Sequence, residues 1–274
     1  MDYDPTQYLG AAAYYRIGRP GYSRDLASVL AAELGLDGTG HLVDVGSGPG
    51  TVGIELAGWF ERVTLIEPDP GMLAEARAQV AATGQTFIEF VPATAAQLLE
   101  LGLAPARVVT FGQSFHRIDR VAGAEAVYEL LVPGGALVLI THDPARPAPP
   151  APPGTVPIPH DEIRSLITSF LNAPLRSGNR LVADYSVERF ELTLQRTSFR
   201  TSRVVYAPGR SDIVRDVDGV VAGVLSMSYA APHLFGSRLP EFLTALRELL
   251  AQHSPEGRFW DWPGDTEILI ATRT

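Results

Sequence analysis

The stretch VDVGSGPG, Val43 to Gly50, closes an apolar run and opens a cluster of glycines. The preceding HLVDV reads as a short buried strand, and Val52, Leu56, Trp59 and Phe60 mark the helix that follows. A glycine-rich turn between strand and helix lets a ligand approach the backbone, while the helix N-terminus supplies amide donors and positive potential. The same turn also serves as a plain strand-to-helix connection, so its neighbours must decide. Two frames are available: G-x-G-x-G from Gly46, and G-x-G-x-x-G from Gly48 to Gly53.

A dinucleotide frame begins immediately after its strand and sets a pyrophosphate on the helix N-terminus. Here the fitting frame begins late, after VGS, and Asp44 would place negative charge beside the phosphates. A nicotinamide-dependent oxidoreductase is therefore the weaker reading. S-adenosylmethionine has no phosphate, an ammonium that Asp44 can accept from, and two ribose hydroxyls. Glu67, about 20 residues beyond the glycines, is placed for those hydroxyls by the geometry that serves NAD, so by itself it does not discriminate. Gly53 serves helix packing in this reading.

The pattern continues outward. An amphipathic helix with Leu26, Val29, Leu30 and Leu34 precedes the first strand, with Ser23 as its candidate cap. Then come the strand RVTLIE, a helix through Met72, Leu73, Ala76 and Val80, and the strand TFIEFV. A short helix at Ala95–Leu101, the strand ARVVTF, a helix at Val121–Leu131 and the strand ALVLIT follow. This alternation predicts right-handed crossovers and an α/β fold, a doubly wound, mostly parallel sheet of seven strands. The proline-rich DPARPAPPAPPGTVPIP interrupts it at Asp143 and reads as an extended linker. Ile163, Leu166, Ile167, Phe170 and Leu171 then predict a lid helix. SFRTSRVVYA and TEILIAT are the last two strands, separated by about 60 residues, far beyond a hairpin loop. That interval should hold a helix from Ser211 to Leu225 and another begun by Pro240. The expected organisation is one domain over 1–274: cap helices in 1–40, a cofactor-binding core in 41–143, linker and lid in 144–190, and the sheet's end with a helical substrate-side insertion in 191–274.

Composition bounds the function. A net charge of −9, with all 22 basic residues arginine, argues against nucleic acid and for a small-molecule partner. The chain has no cysteine, which excludes disulfides and thiolate chemistry. The N-terminal MDYDPTQYLG lacks the apolar core of a signal segment, and no run could span a bilayer, so a cytoplasmic protein is expected, with homo-oligomerisation left open.

VDVGSGPG, LIEPDPGML, VVTFGQSFHRID and LLVPGGALVLI, in that order, make the chain resemble the class I S-adenosylmethionine-dependent methyltransferases of the small-molecule branch. The likeness runs from about His41 to Thr141 and extends more weakly to YYRIGRPGYS and VLSMSYAAPHLFGSRL. It implies that Gly46, Gly48 and Gly50 border the methionine portion, that Glu67 binds ribose, and that Pro68 and Met72 pack near adenine. Ala93, Thr94 and Ala95 would flank the adenine edge, and Phe111, Gly112 and Gln113 would stand where sulfonium and acceptor meet. Tyr15, Arg19 and Tyr22 would approach the cofactor's carboxylate.

Methyl transfer needs alignment and exclusion of water more than a strong catalytic group, although a protonated oxygen or nitrogen nucleophile benefits from a base. His116 is the candidate, since FGQSFHRID follows a strand whose carboxyl end faces the cleft. Related methyltransferases often carry tryptophan after that histidine, where this chain has Arg117. Asp119, His142 and Asp143 are secondary candidates, and no ligand cluster accompanies them, so no metal is expected. Tyr14, Phe115, Tyr185, Tyr229 and Trp260 are candidate substrate contacts for an apolar or aromatic acceptor. Aromatic faces could also steady a cation formed during C-methylation of an isoprenoid-like alkene. A protein that binds the cofactor without catalysis is the reading from a different class.

Overall fold

The computed structural model describes residues 3–143, 147–177, 180–181 and 188–274. Seven strands, β1 (His41–Val45), β2 (Arg62–Ile66), β3 (Ile88–Val91), β4 (Ala106–Gly112), β5 (Leu131–Asp143), β6 (Arg203–Ala207) and β7 (Asp265–Thr272), form one sheet in the order β3-β2-β1-β4-β5-β7-β6. β1 to β5 pair in parallel, while β7 runs antiparallel to both β5 and β6. The order reverses between β1 and β4, and the crevice outside the strand ends at such a switch point is where ligands bind in open α/β sheets.

Successive residues of each central strand feed opposite cores, which is why these strands are apolar on both faces. Leu42, Val108, Val138 and Ile140 pack under α2 (Leu26–Leu34), α3 (Thr51–Leu56) and α4 (Pro70–Thr83). Val43, Val109, Leu137 and Leu139 pack under α5 (Arg120–Leu130) and α7 (Phe190–Leu194). A third core joins α6 (His160–Leu171), α8 (Val217–Leu225) and α9 (Leu239–His253) through Ile163, Ile167, Val221, Phe242 and Leu246. The periodic helix after the proline-rich segment is therefore part of a helical layer with its own core.

Two expectations about local structure need correction. Ser23 does not cap α2: the helix starts at Leu26 behind Asp25, and Ser23 instead donates its N–H to Thr266 of β7 at 2.8 Å. The interval from Ser211 does not enter a helix at once. Val214–Arg215 pairs with Phe259–Trp260 as a short antiparallel strand, and α8 begins only when the Asp216 carboxylate accepts from the Gly219 N–H. The short helix expected at Ala95–Leu101 is present, as a 3₁₀ helix started by a Thr94–Gln97 capping box.

Two contacts carry the site. The first is Asp44, paired in register with Thr110 across β1 and β4 and 1% exposed. Its Oδ1 accepts from the Thr110 hydroxyl at 2.8 Å and its Oδ2 from the Gly53 N–H at 3.0 Å, tying two strands to α3. Gly53 must be glycine, because a Cβ there would stand 2.3 Å from Leu65 Cδ2. The second is the crossing of α1 (Ala12–Gly18) over α8, where a Cβ on Gly18 would lie 2.2 Å from the Gly223 nitrogen. Backbone meets backbone there, so neither side can give way.

Gly18→Ala should consequently cost about 3 kcal/mol or more, at or beyond the upper end for overpacking. Gly223→Ala, whose Cβ meets Gly18 oxygen at 3.1 Å, should cost less, and Gly58→Ala, with open space around it, should cost least. Chemical denaturation of the three variants checks that order. Burial pushes the Asp44 carboxyl from 3.8 up to about 6 against the pull of its two hydrogen bonds. With the folded value above the unfolded one, this group's contribution is fully present below about pH 4 and lost as pH rises through 6. Asp44→Asn can keep both bonds, with its amide donating to Thr110 and its oxygen accepting from Gly53. The variant should melt no lower than the parent at pH 8 and lose roughly 2–3 kcal/mol of the parent's stability gain toward pH 4, as thermal unfolding across pH will show.

Candidate active site

At the switch point two adjoining cavities open, of about 590 and 470 Å³. They meet along Gly46, Gly48, Gly112, Gln113, His116 and Arg117, with Tyr15 shared from the cap. The turn that separates them is built from the quoted stretch. The Gly46 and Ser47 amides both donate to the Ile66 carbonyl, at 2.8 and 3.1 Å, which folds the chain back over β2. Gly46, Gly48 and Gly50 take φ of 64°, 55° and 85°, a region that favours glycine. At Gly48 a Cβ would meet nothing within 4 Å, so its missing side chain leaves open space. Gly50 ends the turn as the N-cap of α3 and stands off both cavity walls.

The smaller cavity is lined by Glu67, Pro68, Met72, Thr94, Ala95 and Phe111. Glu67, at the end of β2, is 8% exposed. Its Oε2 accepts from the Gly48 N–H and its Oε1 from the Asp69 N–H, each at 2.9 Å. Burial pushes this carboxyl up to about 7 despite those bonds. A carboxylate offers about four acceptor positions, so two remain for further donors. Asp69 in turn caps α4 by accepting from the Met72 N–H at 2.8 Å, which holds Pro68 and Met72 in place. Ala93 lies beneath this wall in the core.

The larger cavity is lined by Tyr15, Arg19, Tyr22, Asp44, Thr141, His142, Phe190 and Tyr229, among others. Arg19 ends α1, lies over the Tyr15 ring at 5.0 Å and donates from Nη2 to the Ser226 carbonyl at 3.1 Å, while its Nε is buried without a partner. Tyr22 stacks on His142, ring centres 5.0 Å apart. Gly112 permits this approach: a Cβ there would come within 3.0 Å of the Tyr22 hydroxyl and 2.7 Å of Val52. Gln113 turns the chain after β4 with φ 54°, its amide donating to Ile140, and delivers His116 on the one-turn 3₁₀ segment Phe115–Arg117. Asp119 caps α5 through the Ala122 N–H and lines the smaller cavity.

Three aromatic candidates lie off both walls. Phe115 is fully buried between Phe111 and Phe190 in the sheet's core, because the residue beside a cavity-facing His116 on a tight turn points the other way. Tyr14 packs into the helical layer. Trp260 stacks on Trp262 and donates to the Ser211 carbonyl, satisfying its polar edge away from the cleft. Tyr185 lies outside the described residues. Sequence reading did not single out Tyr3, Gln7 and Tyr8, which line the smaller cavity, with Arg117 over the Tyr8 ring at 5.1 Å. Their signal was aromatic side chains in a segment otherwise read as acidic. Among the described residues no group of three or more His, Cys, Asp or Glu could hold a metal ion, and no helix is long and apolar enough to cross a membrane.

Known proteins share part of this sequence and its fold. Residues 42–135 match the model of a methyltransferase domain. Over 127 residues the chain is 32% identical to methyltransferase cfoB of Aspergillus candidus, a match that covers 44% of this chain and 39% of that protein. The chain thus matches about two fifths of the length of this curated relative. Among solved structures, phosphoethanolamine N-methyltransferase 2 of Haemonchus contortus, bound to phosphomonomethylethanolamine and S-adenosylhomocysteine, has the same fold. The similarity has a TM-score of 0.53 at 16% identity, over 97% of this chain and 57% of that one. The YcgJ protein of Bacillus subtilis is similar at a TM-score of 0.50 and 11% identity, over 90% and 97% of the two chains. With its strand order and its glycine turn the chain has the Rossmann-like fold of the class I methyltransferases, and its residues 42–135 match a methyltransferase domain.

Proposed function

We propose that this chain transfers a methyl group from S-adenosylmethionine to an oxygen of a small aromatic acceptor. The observation that carries the reading is the pair of cavities joined at Gly46, Gly48, Gln113 and His116. One cavity offers a buried carboxylate with spare acceptor positions for ribose hydroxyls and an apolar wall for adenine, and the other offers aromatic rings and hydrogen-bond donors. Glu67, Pro68, Met72, Thr94 and Ala95 would hold the nucleoside end, and Tyr15 and Arg19 the aminoacyl end. When bound, the cofactor supplies a methyl carbon already activated by its sulfonium.

The chain's own work is then alignment and proton removal. Gln113 and Gly112 set the floor between the cavities, and the Tyr15 cap closes over it, which excludes water. His116 stands on both walls and takes the acceptor's proton on its imidazole. His142, Tyr22 and Tyr229 make the acceptor wall polar as well as aromatic, which favours an oxygen-bearing acceptor over a hydrocarbon alkene. A hydrocarbon would leave the cavity-facing edge of His142 without a partner on burial.

Calorimetry with S-adenosylhomocysteine should give binding, and NAD(H) should give none; binding of NAD(H) alone would overturn the reading. His116→Asn should slow methylation of phenolic acceptors by ~10²-fold, the scale of general-base catalysis, while leaving S-adenosylhomocysteine affinity in place. Unchanged turnover would remove His116 from the base role.

A further inference from the structure

His142 is a cavity residue that the mechanism above leaves without a task. It stands at the end of β5, opposite Thr266 of β7, with its ring fixed against Tyr22 at an interplanar angle of 23°. Its Nδ1 is sealed inside the protein without a hydrogen-bond partner, so the ring meets the cavity through its other edge. A neutral imidazole carries its proton on one nitrogen and a lone pair on the other. An orphaned buried N–H is rarer in proteins than an under-satisfied acceptor, which leaves the lone pair on Nδ1 and the proton on Nε2. Burial also holds this imidazole down at about 4, so it is neutral across the physiological range. A group that stays neutral, with its proton pointed into the cavity, is a donor and not a base.

The rest of the larger cavity has the same character. Asp44 is its one lining carboxylate among the described residues; its oxygens accept from Thr110 and Gly53, and the acceptor positions left are those that the cofactor's own ammonium would take. Arg19, Arg117, Ser228, Tyr22 and Tyr229 bring donors to the wall. A second ammonium, on the acceptor, would give up its hydration without a further anion to pair with. An oxygen acceptor would find partners.

We infer that His142 recognises the acceptor through a fixed Nε2–H donor, and that the acceptor is a phenol whose ring bears a carbonyl oxygen beside the reacting hydroxyl, in preference to one that bears an alkylammonium. This rests on the methyltransferase reading above. His142 is here a specificity residue, distinct from the base His116.

The test compares ortho-hydroxyacetophenone, ortho-ethylphenol and tyramine as ligands of the full chain saturated with S-adenosylhomocysteine, by calorimetry. The first two differ by a carbonyl against a methylene. The wild-type protein should bind the ketone about 10-fold more tightly than ortho-ethylphenol, the scale of one hydrogen bond, and tyramine most weakly. His142→Phe keeps a ring against Tyr22 and should erase the preference for the ketone. His142→Gln keeps an amide donor near Nε2 and should retain most of it. Equal binding of ketone and ethylphenol by the wild type, preference for tyramine, or the same preference in His142→Phe as in wild type would each overturn the inference. If S-adenosylhomocysteine itself failed to bind, the cofactor reading would fall instead, before any acceptor was added.

Discussion

The buried carboxylate of Asp44 is the constraint on which the cleft depends. It sits in the middle of the sheet where the strand order reverses, and it fastens the end of β1 to β4 and to the first turn of α3. A charge so deeply buried is costly unless hydrogen-bonded, and here the partners are one side-chain hydroxyl and one backbone amide. The amide belongs to Gly53, so α3 can descend onto Leu65 without a side chain between them. The glycine turn above it inherits that position. Gly46 and Gly48 face the cavities because the chain on either side of them is held by this one side chain.

The cap is fixed by a different device. α1 approaches α8 through Gly18 and Gly223, backbone against backbone, and the approach sets where Tyr15 and Arg19 emerge. α8 belongs to the helical layer with α6 and α9, whose core of Ile163, Val221, Phe242 and Leu246 is separate from the two sheet cores. The larger cavity is thus walled on one side by the sheet and on the other by Tyr229 and Ser228 just beyond α8. Changes in the helical layer can reshape the acceptor side while leaving Glu67 and its amide donors untouched.

How much of this was legible in the sequence follows from the range of the interactions. Alternating apolar runs and glycines act locally, so the strands, their order of appearance and the turn at Gly46–Gly50 could be read directly. Glu67, Met72 and His116 were legible because each lies a few residues past a strand end, and strand ends face the crevice in such sheets. Phe115, Tyr14 and Trp260 were not, because an aromatic residue's side is settled by partners distant in sequence: Phe190, the helical layer and Ser211. Tyr3 and Tyr8 reach the smaller cavity through the same kind of distant contact, here with Arg117. Ser23 looked like a cap in the local pattern, yet a tertiary hydrogen bond to Thr266 draws its backbone toward β7.

The electrostatics of the cleft run opposite to those of the whole chain. The protein carries a net charge of −9, yet the wall of the larger cavity holds two arginines and, among the described residues, a single carboxylate, hydrogen-bonded to Thr110 and Gly53. In the proposed reaction such a wall would lower the cost of an oxyanion on the acceptor as its proton leaves toward His116. Transfer of a methyl from a sulfonium to an oxyanion brings two opposite charges together and leaves neither, and a separated pair attracts more strongly in a low dielectric than in water. Excluding water under the Tyr15 cap would therefore strengthen the attraction that drives the proposed step. An amine acceptor gains nothing comparable, because the reaction moves its positive charge without cancelling it. Donors on the wall, a neutral His142 and a closed cap thus favour the same kind of nucleophile.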